Sequence, residues 1–353
     1  MDFQPLIEVT RGGLVESHHA GAIAVADARG RLRAGYGDPQ HVAFLRSTAK
    51  PLQVLPLLES GAARAYDLTP REIAVACASH TGSAQHLEAV RNLLAKAGLT
   101  EADLGCGAHL PDDAETRAQL LRERTEPTPL YNNCSGKHAG MLALAKFNGW
   151  PLTDYLDPQH PVQRLILRAV AEMLGLPEES VMLGVDGCSA PNFAAPLVNA
   201  AAAFARLADP RGLPPARAEA VRAAVGAMQL HPELVHGAGK SDTELMRARP
   251  GIIIAKRGAE GFQGIGLAPG ALGAGSPALG IALKIADGDG AGRAVAAAAV
   301  EVLRQLGALD SAQLAQLAER GVHATRPLTN WRGLTVGELR PVFTLKFEPG
   351  FDS

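Results

Sequence analysis

No apolar stretch in this chain could span a bilayer; the longest, the alanine-rich AVAAAAV at 294–300, is far too short. Neither sign of charge dominates, with 34 basic against 36 acidic residues, so no nucleic-acid or membrane partner is expected. Cysteine is scarce. Four of them (Cys77, Cys106, Cys134, Cys188) in 353 residues do not make a disulfide framework, which suits a cytosolic enzyme or a metal protein better than a secreted scaffold. The opening MDFQPLIEVTRGG has no basic region followed by an apolar run, so no signal peptide is expected and the expected location is cytoplasmic. Lysine is scarce too, with 8 against 26 arginines. What remains, 47% hydrophobic and 20% charged, is ordinary globular composition with material for one large domain or two.

Three zones follow one another. Residues 5–37 alternate apolar and polar in short runs, the pattern of antiparallel strands joined by hairpins. From 47 to about 248 the period becomes helical. TPREIAVACAS carries Thr69 as N-cap, Pro70 at the first helical position and Glu72 closing a capping box, and SAQHLEAVRNLLAKAG runs from Ser83 to Gly98. Further helices are expected at 113–123, 136–147, 161–174, 192–208, 215–229 and 242–248, with VMLGVDG (181–187) extended. After Pro250 the chain turns β again: a hairpin about Gly258–Gly261, a strand in ALGIALKIADGDG, a helix at 290–306 and a closing strand in RPVFTLKF. The Gly/Ala-rich stretch 264–280 is expected as a loop. Together these predict an α+β fold: a discontinuous antiparallel sheet domain, 1–46 with 250–353, carrying an inserted helical domain, 47–249, with an active site at their interface.

Within FLRSTAK (44–50), Ser47 precedes Lys50 by three and Pro51 follows, so a helix begins between Ser47 and Ala49. Both side chains then sit where free N–H groups favour developing negative charge. Arginine cannot give up its proton in a protein, whereas lysine can and then serves as a base for serine. Keeping a lysine neutral at physiological pH costs about 4–5 kcal/mol, which burial and a second nearby cation can supply.

Serine enzymes of the penicillin-binding and β-lactamase type use S-x-x-K, then a serine in a helical domain, then K-[ST]-G on a strand. STAK here is followed by SHTG (79–82) at a helix end and KRG (256–258) at the end of the apolar run GIIIA, the same order and setting. Ser79 is followed by His-Thr and not Asp-Asn, and Lys256 by Arg and not Ser or Thr. SDT (241–243) is a rival for the middle serine. YNNCSGKHAGM (131–141) and GVDGCSAPNF (184–193) place Cys134 and Cys188 in polar loops expected at helix starts, where thiols tend towards thiolate, while Cys77 reads as packing. That pair with one more donor could bind zinc, although no C-x-x-C occurs. His138 is the third donor that spacing favours, or Cys134 and His138 could form a nucleophile pair four apart on one helix.

FLRSTAKPLQ, ASHTGSAQH, YNNCSGKHAGML, GVDGCSAPNF, HPELVHGAGKSDTELM, AKRGAEG and GIALKIADGDG together resemble the rhizobial-type, or class 3, L-asparaginases over residues 5 to 345. The resemblance implies a serine β-lactamase/glutaminase-like fold and two Ser–Lys tandems, Ser47 with Lys50 and Ser79 with Lys256. It further implies one zinc ion per chain, held by Cys134, Lys137 and Cys188 with water, orienting substrate and not generating the nucleophile. Lys137 thus takes the place that spacing gave to His138. Arg46, His80, His138 and Asp186 are implied as substrate-binding residues, and a homodimer as the assembly. Five of the eight lysines (50, 137, 240, 256, 284) fall in these motifs.

The expected activity is hydrolysis of L-asparagine to L-aspartate and ammonia through an acyl-enzyme. Rival readings are a related serine amidohydrolase acting on glutamine, a β-lactam or a peptide, and a non-enzymatic protein with a structural zinc site. The SHTG and KRG departures argue against penicillin recognition.

Overall fold

The computed structural model describes residues 3–351; positions 1–2 and 352–353, the outermost of the expected sheet domain, lie outside them. The fold is α+β, and the chain forms two compact units. One comprises Met1–Thr48, Ala195–Asp209 and Glu244–Ser353, the other Ala49–Ala194 and Pro210–Thr243.

The first is built on an antiparallel sheet. Among the described residues it has nine strands, ordered Arg326–Thr329, Thr335–Pro341, Gln4–Arg11, Leu14–Asp27, Leu279–Ile285, Phe262–Leu267 and Ile253–Arg257. Leu32–Tyr36 pairs with Leu14–Asp27 and with Lys346–Phe347. The long strand Leu14–Asp27 alternates in exposure over its first residues and is buried from Gly21 to Asp27, because both faces are then covered. Its register sets Ala22, Ala24 and Ala26 beside Lys284, Ala282 and Gly280, and those beside Phe262, Gly264 and Gly266. This face of small side chains receives the helix Leu197–Ala208. A Cβ on Gly280 would collide with the Ala201 carbonyl, and one on Gly264 with the Phe204 ring. The other face carries Ile23, Val25, Ile265, Ile281 and Leu283, fully buried, and helix Ala294–Gln305 packs against strands Leu279–Ile285 and Phe262–Leu267.

Two expectations need correction here. Residues 195–209 belong to the sheet unit and not to the helical insertion, since Leu197–Ala208 is apolar nearly all round and is buried against the sheet. Its start at 192 is also displaced, because Pro191–Pro196 is a strand. The stretch 264–280 is a loop only from 268 to 278; glycines at 264, 266 and 280 are strand positions where the helix comes close.

In the second unit the predicted caps form. Thr69 and Glu72 make a capping box on Pro70–Ala76, and Ser83 and His86 make one on Ala84–Lys96. Ile73 and Ala74 pack with Ala227 and Leu234. Gly136 lets helix Ser135–Phe147 approach Pro70–Ala76, because a Cβ there would strike the Val75 carbonyl. No helix among the described residues is long and apolar enough to cross a membrane.

Gly280→Ala should destabilise the chain by about 1–3 kcal/mol. Gly290→Ala, where an added Cβ meets nothing within 4 Å, should stay within about 0.5 kcal/mol in the same urea titration.

Candidate active site

Each unit carries one serine and one lysine of the two expected tandems: Ser47 and Lys256 in the sheet unit, Lys50 and Ser79 in the helical unit. In the sheet unit Ser47 lies in the 3-10 turn Arg46–Ala49. Arg46 has φ 53°, a left-handed conformation that costs a non-glycine residue about 1–3 kcal/mol and that clusters at functional turns. Thr48 Oγ1 donates to the Lys256 carbonyl at 3.2 Å, which ties the serine turn to the strand Ile253–Arg257. Gly258 of KRG makes this approach possible, since a Cβ there would lie 2.6 Å from the Leu45 carbonyl and 2.8 Å from Thr48 Oγ1. Lys256 is fully buried, faces Gly264 across the sheet, and donates to the Arg257 carbonyl at 2.8 Å. Arg46 lies 3.9 Å from Glu260, itself at φ 58°.

In the helical unit Lys50 opens the short helix Lys50–Gln53, and its amine is fully buried. Nζ donates to the carbonyls of Ala78 at 2.6 Å and Asn133 at 3.3 Å, and is hydrogen-bonded to Ser79 Oγ at 2.9 Å. Ser79 is thereby paired with the lysine that the resemblance assigns to Ser47. Its backbone is fixed by Val235, whose carbonyl accepts the Ser79 N–H at 2.9 Å. The rival Ser241 begins helix Ser241–Ala248 with its buried hydroxyl unpartnered among the described residues.

His80, implied as substrate-binding, is buried with both ring nitrogens engaged. Nδ1 accepts from the Gly82 N–H at 3.1 Å, so Nε2 carries the proton and donates to Ser135 Oγ at 2.8 Å. Ser135 Oγ donates on to the Leu130 carbonyl. His80 braces the SHTG loop. His138 differs: Nδ1 meets the Tyr155 hydroxyl at 2.6 Å, while Nε2 is buried without a partner among the described residues. Burial, then the charges of Lys137 and Lys50, hold its pKa well below the ordinary histidine range, so the ring is neutral.

Cys134 caps helix Ser135–Phe147 as expected. Cys188 does not start a helix. It lies in the tight connection between strands Met182–Val185 and Pro191–Pro196, closed by an Asp186 N–H to Ala190 carbonyl bond and by Ser189 at φ 68°. The Asn/Ser/Gly chemistry read as a cap is that of a hairpin turn. Cys134, Lys137 and Cys188 nevertheless converge, with Lys137 Nζ 3.0 Å from Cys188 Sγ. The Cys188 hydrogen bond, helped by the charges of Lys50 and Lys137 against burial, drives Cys134 well below the usual thiol range. The same bond and burial push Cys188 up. Burial opposes charge on Lys137, but Cys134, Cys188 and Asp186 outweigh it and raise its pKa.

Among the described residues no three of His, Cys, Asp and Glu are grouped to hold a metal; Lys137 is the third donor that the resemblance implies. Two thiols and an amine in one buried cluster suit a soft divalent cation, provided Lys137 releases its proton. Tyr155 and the Asn133 carbonyl were not singled out from the sequence. Asn133 stands inside a quoted motif, whereas PLTDYLDPQH around Tyr155 carries no motif signal.

The family model for L-asparaginase II matches residues 7–341. The chain belongs to the L-asparaginase II family. That membership makes amide hydrolysis its chemistry and agrees with the seven-motif resemblance. Comparison with the curated proteins gives no match. Among solved structures the family member is similar to a "Probable glutaminase from Bacillus subtilis" complexed with 6-diazo-5-oxo-L-norleucine (15% identity, 82% of this chain and 84% of that one, TM-score 0.37). It is also similar to a Bacillus glutaminase (12%, 81% and 90%, TM-score 0.38) and to Mglu in its native form (16%, 82% and 65%, TM-score 0.41). Likeness at this level decides nothing about activity.

Burial lowers the His86 pKa from 6.5 to about 4, with the Glu233 carbonyl, which accepts from its Nε2, opposing that shift. The unfolded chain therefore takes up a proton near pH 6.5 that the folded chain refuses until about pH 4. Stability should fall by about 3 kcal/mol as pH drops through that window, and His86→Gln should flatten the loss in urea titrations at pH 7 and pH 5.

Proposed function

We propose that the chain hydrolyses L-asparagine to L-aspartate and ammonia through an acyl-enzyme formed on serine, with lysine as the base. Family membership supports the reaction class, and one observation carries the serine–lysine chemistry: the buried Lys50 amine is hydrogen-bonded to Ser79 Oγ at 2.9 Å and to two carbonyl oxygens, with Cys134 beside it. Carbonyl oxygens only accept, so Ala78 and Asn133 can take the two N–H groups of a neutral amine. On this reading the amine's lone pair takes the hydroxyl proton of Ser79.

In the reading that the resemblance implies, Ser47 is the nucleophile, Lys50 its base, and Ser79 with Lys256 passes a proton to the leaving nitrogen. The serine oxygen adds to the amide carbon, the C–N bond breaks as ammonia takes its proton, and water then cleaves the ester. Arg46, His138 and Asp186 are proposed to bind substrate, and His80 to support the loop. The 2.9 Å geometry favours a second reading, in which Ser79 is the serine that Lys50 deprotonates. Cys134, Lys137 and Cys188 would hold one Zn2+ per chain, which when bound supplies a fixed positive charge near the substrate. Glutamine as substrate, a homodimeric assembly and a cytoplasmic location belong to the same proposal.

Ammonia release and intact mass after acid quench separate the two serines. On the first reading Ser47→Ala loses about 10^3-fold in turnover and forms no acyl adduct, while Ser79→Ala still acylates. The reverse pattern establishes the second reading, and wild-type turnover in both variants ends serine catalysis here. Elemental analysis should find one zinc per purified wild-type chain and none in Cys188→Ala; active wild-type protein free of zinc contradicts the metal assignment.

A further inference from the structure

We propose that Tyr155 is a positioning residue of this site: its hydroxyl holds His138 in the form protonated on Nε2, leaving one buried N–H donor for an oxygen of the bound amide substrate. The inference rests on the amide-hydrolase reading of the site.

Hydrogen-bond accounting fixes the tautomer. The Gly105 N–H donates to the Tyr155 hydroxyl oxygen at 2.8 Å, which uses an acceptor position of that oxygen. The hydroxyl still has a proton to place, and among the described residues its other partner is His138 Nδ1, at 2.6 Å. If Nδ1 carried a proton, the Tyr155 proton would be left buried with no acceptor. The Tyr155 O–H therefore donates to a bare Nδ1, and the ring proton is on Nε2. That nitrogen is fully enclosed and meets no acceptor among the described residues. Buried donors are rarely left unmade, and one beside a cluster of reactive side chains points to a ligand. His138 follows Lys137 directly and lies four residues, one turn, beyond Cys134 on the same helix. A carbonyl or carboxylate oxygen is the acceptor that suits a neutral N–H donor among those cations.

Tyr155 is itself held in place. Gln163 Nε2 donates to its carbonyl at 2.8 Å, and its ring meets the imidazole edge-on at 87° with centroids 5.7 Å apart. A Cβ on Gly105 would lie 3.1 Å from the hydroxyl and 3.2 Å from Leu156 Cδ1, so glycine leaves the hydroxyl room where it now sits.

Nitrogen-15 NMR of histidine-labelled protein, with the His138 signals assigned by loss in His138→Gln, reads the tautomer directly. The expected wild-type ring has an unprotonated Nδ1 and a protonated Nε2. In Tyr155→Phe the preference should weaken to a mixture, and KM for asparagine should rise about tenfold with kcat little changed. A wild-type ring protonated on Nδ1 overturns the proposal, and that spectrum decides even if the variant does not fold. An unshifted tautomer in folded Tyr155→Phe, whatever its activity, also overturns it by making Tyr155 merely structural. Should the wild type hydrolyse no amide at all, the functional reading fails, and the two spectra still decide what Tyr155 does to His138.

Discussion

The site depends on one buried amine. Lys50 has no exposed surface, and it is satisfied by two backbone carbonyls and one hydroxyl, all within the helical unit. Burying a lysine is costly unless its hydrogen bonds are supplied, so the chain must deliver three partners at fixed positions. Ala78 and Ser79 come from the turn after Pro70–Ala76, and Asn133 from the turn before Ser135–Phe147. Those two helices can lie close because Gly136 has no side chain to strike Val75. The same close approach sets Cys134, Lys137 and His138 on the helix whose first turn borders the amine. The Cys188 hydrogen bond, with the charge of Lys137, lowers the Cys134 pKa, and burial with that same charge lowers the His138 pKa.

The sheet unit is packed by the same means. Small residues on one sheet face admit Leu197–Ala208, and Gly258 admits the Ser47 turn to the strand carrying Lys256. Glycine at these few positions permits close backbone approach.

Much of this was legible in the chain. Caps at Thr69 and Ser83 could be read because capping chemistry is local, and the strand ends of the fold because alternation is local too. The lysines proposed as catalytic stood out by rarity in an arginine-rich protein. What was not legible depends on the tertiary structure. Polar loop residues around Cys188 look alike whether they open a helix or turn a hairpin. The helix Leu197–Ala208 has a helical period, yet only its all-round burial shows that it belongs with the sheet. The bond between Lys50 and Ser79 joins residues 29 apart, and Tyr155 reaches His138 from a loop with no motif of its own.

The account's central claim is that Lys50 serves by giving and taking a proton, not by carrying charge. Lys50→Arg keeps the charge and removes that capacity. With the fold verified by circular dichroism, turnover of asparagine by this variant should fall about 10^3-fold or more. Turnover within tenfold of wild type would contradict the claim, because a guanidinium in that place cannot act as a base.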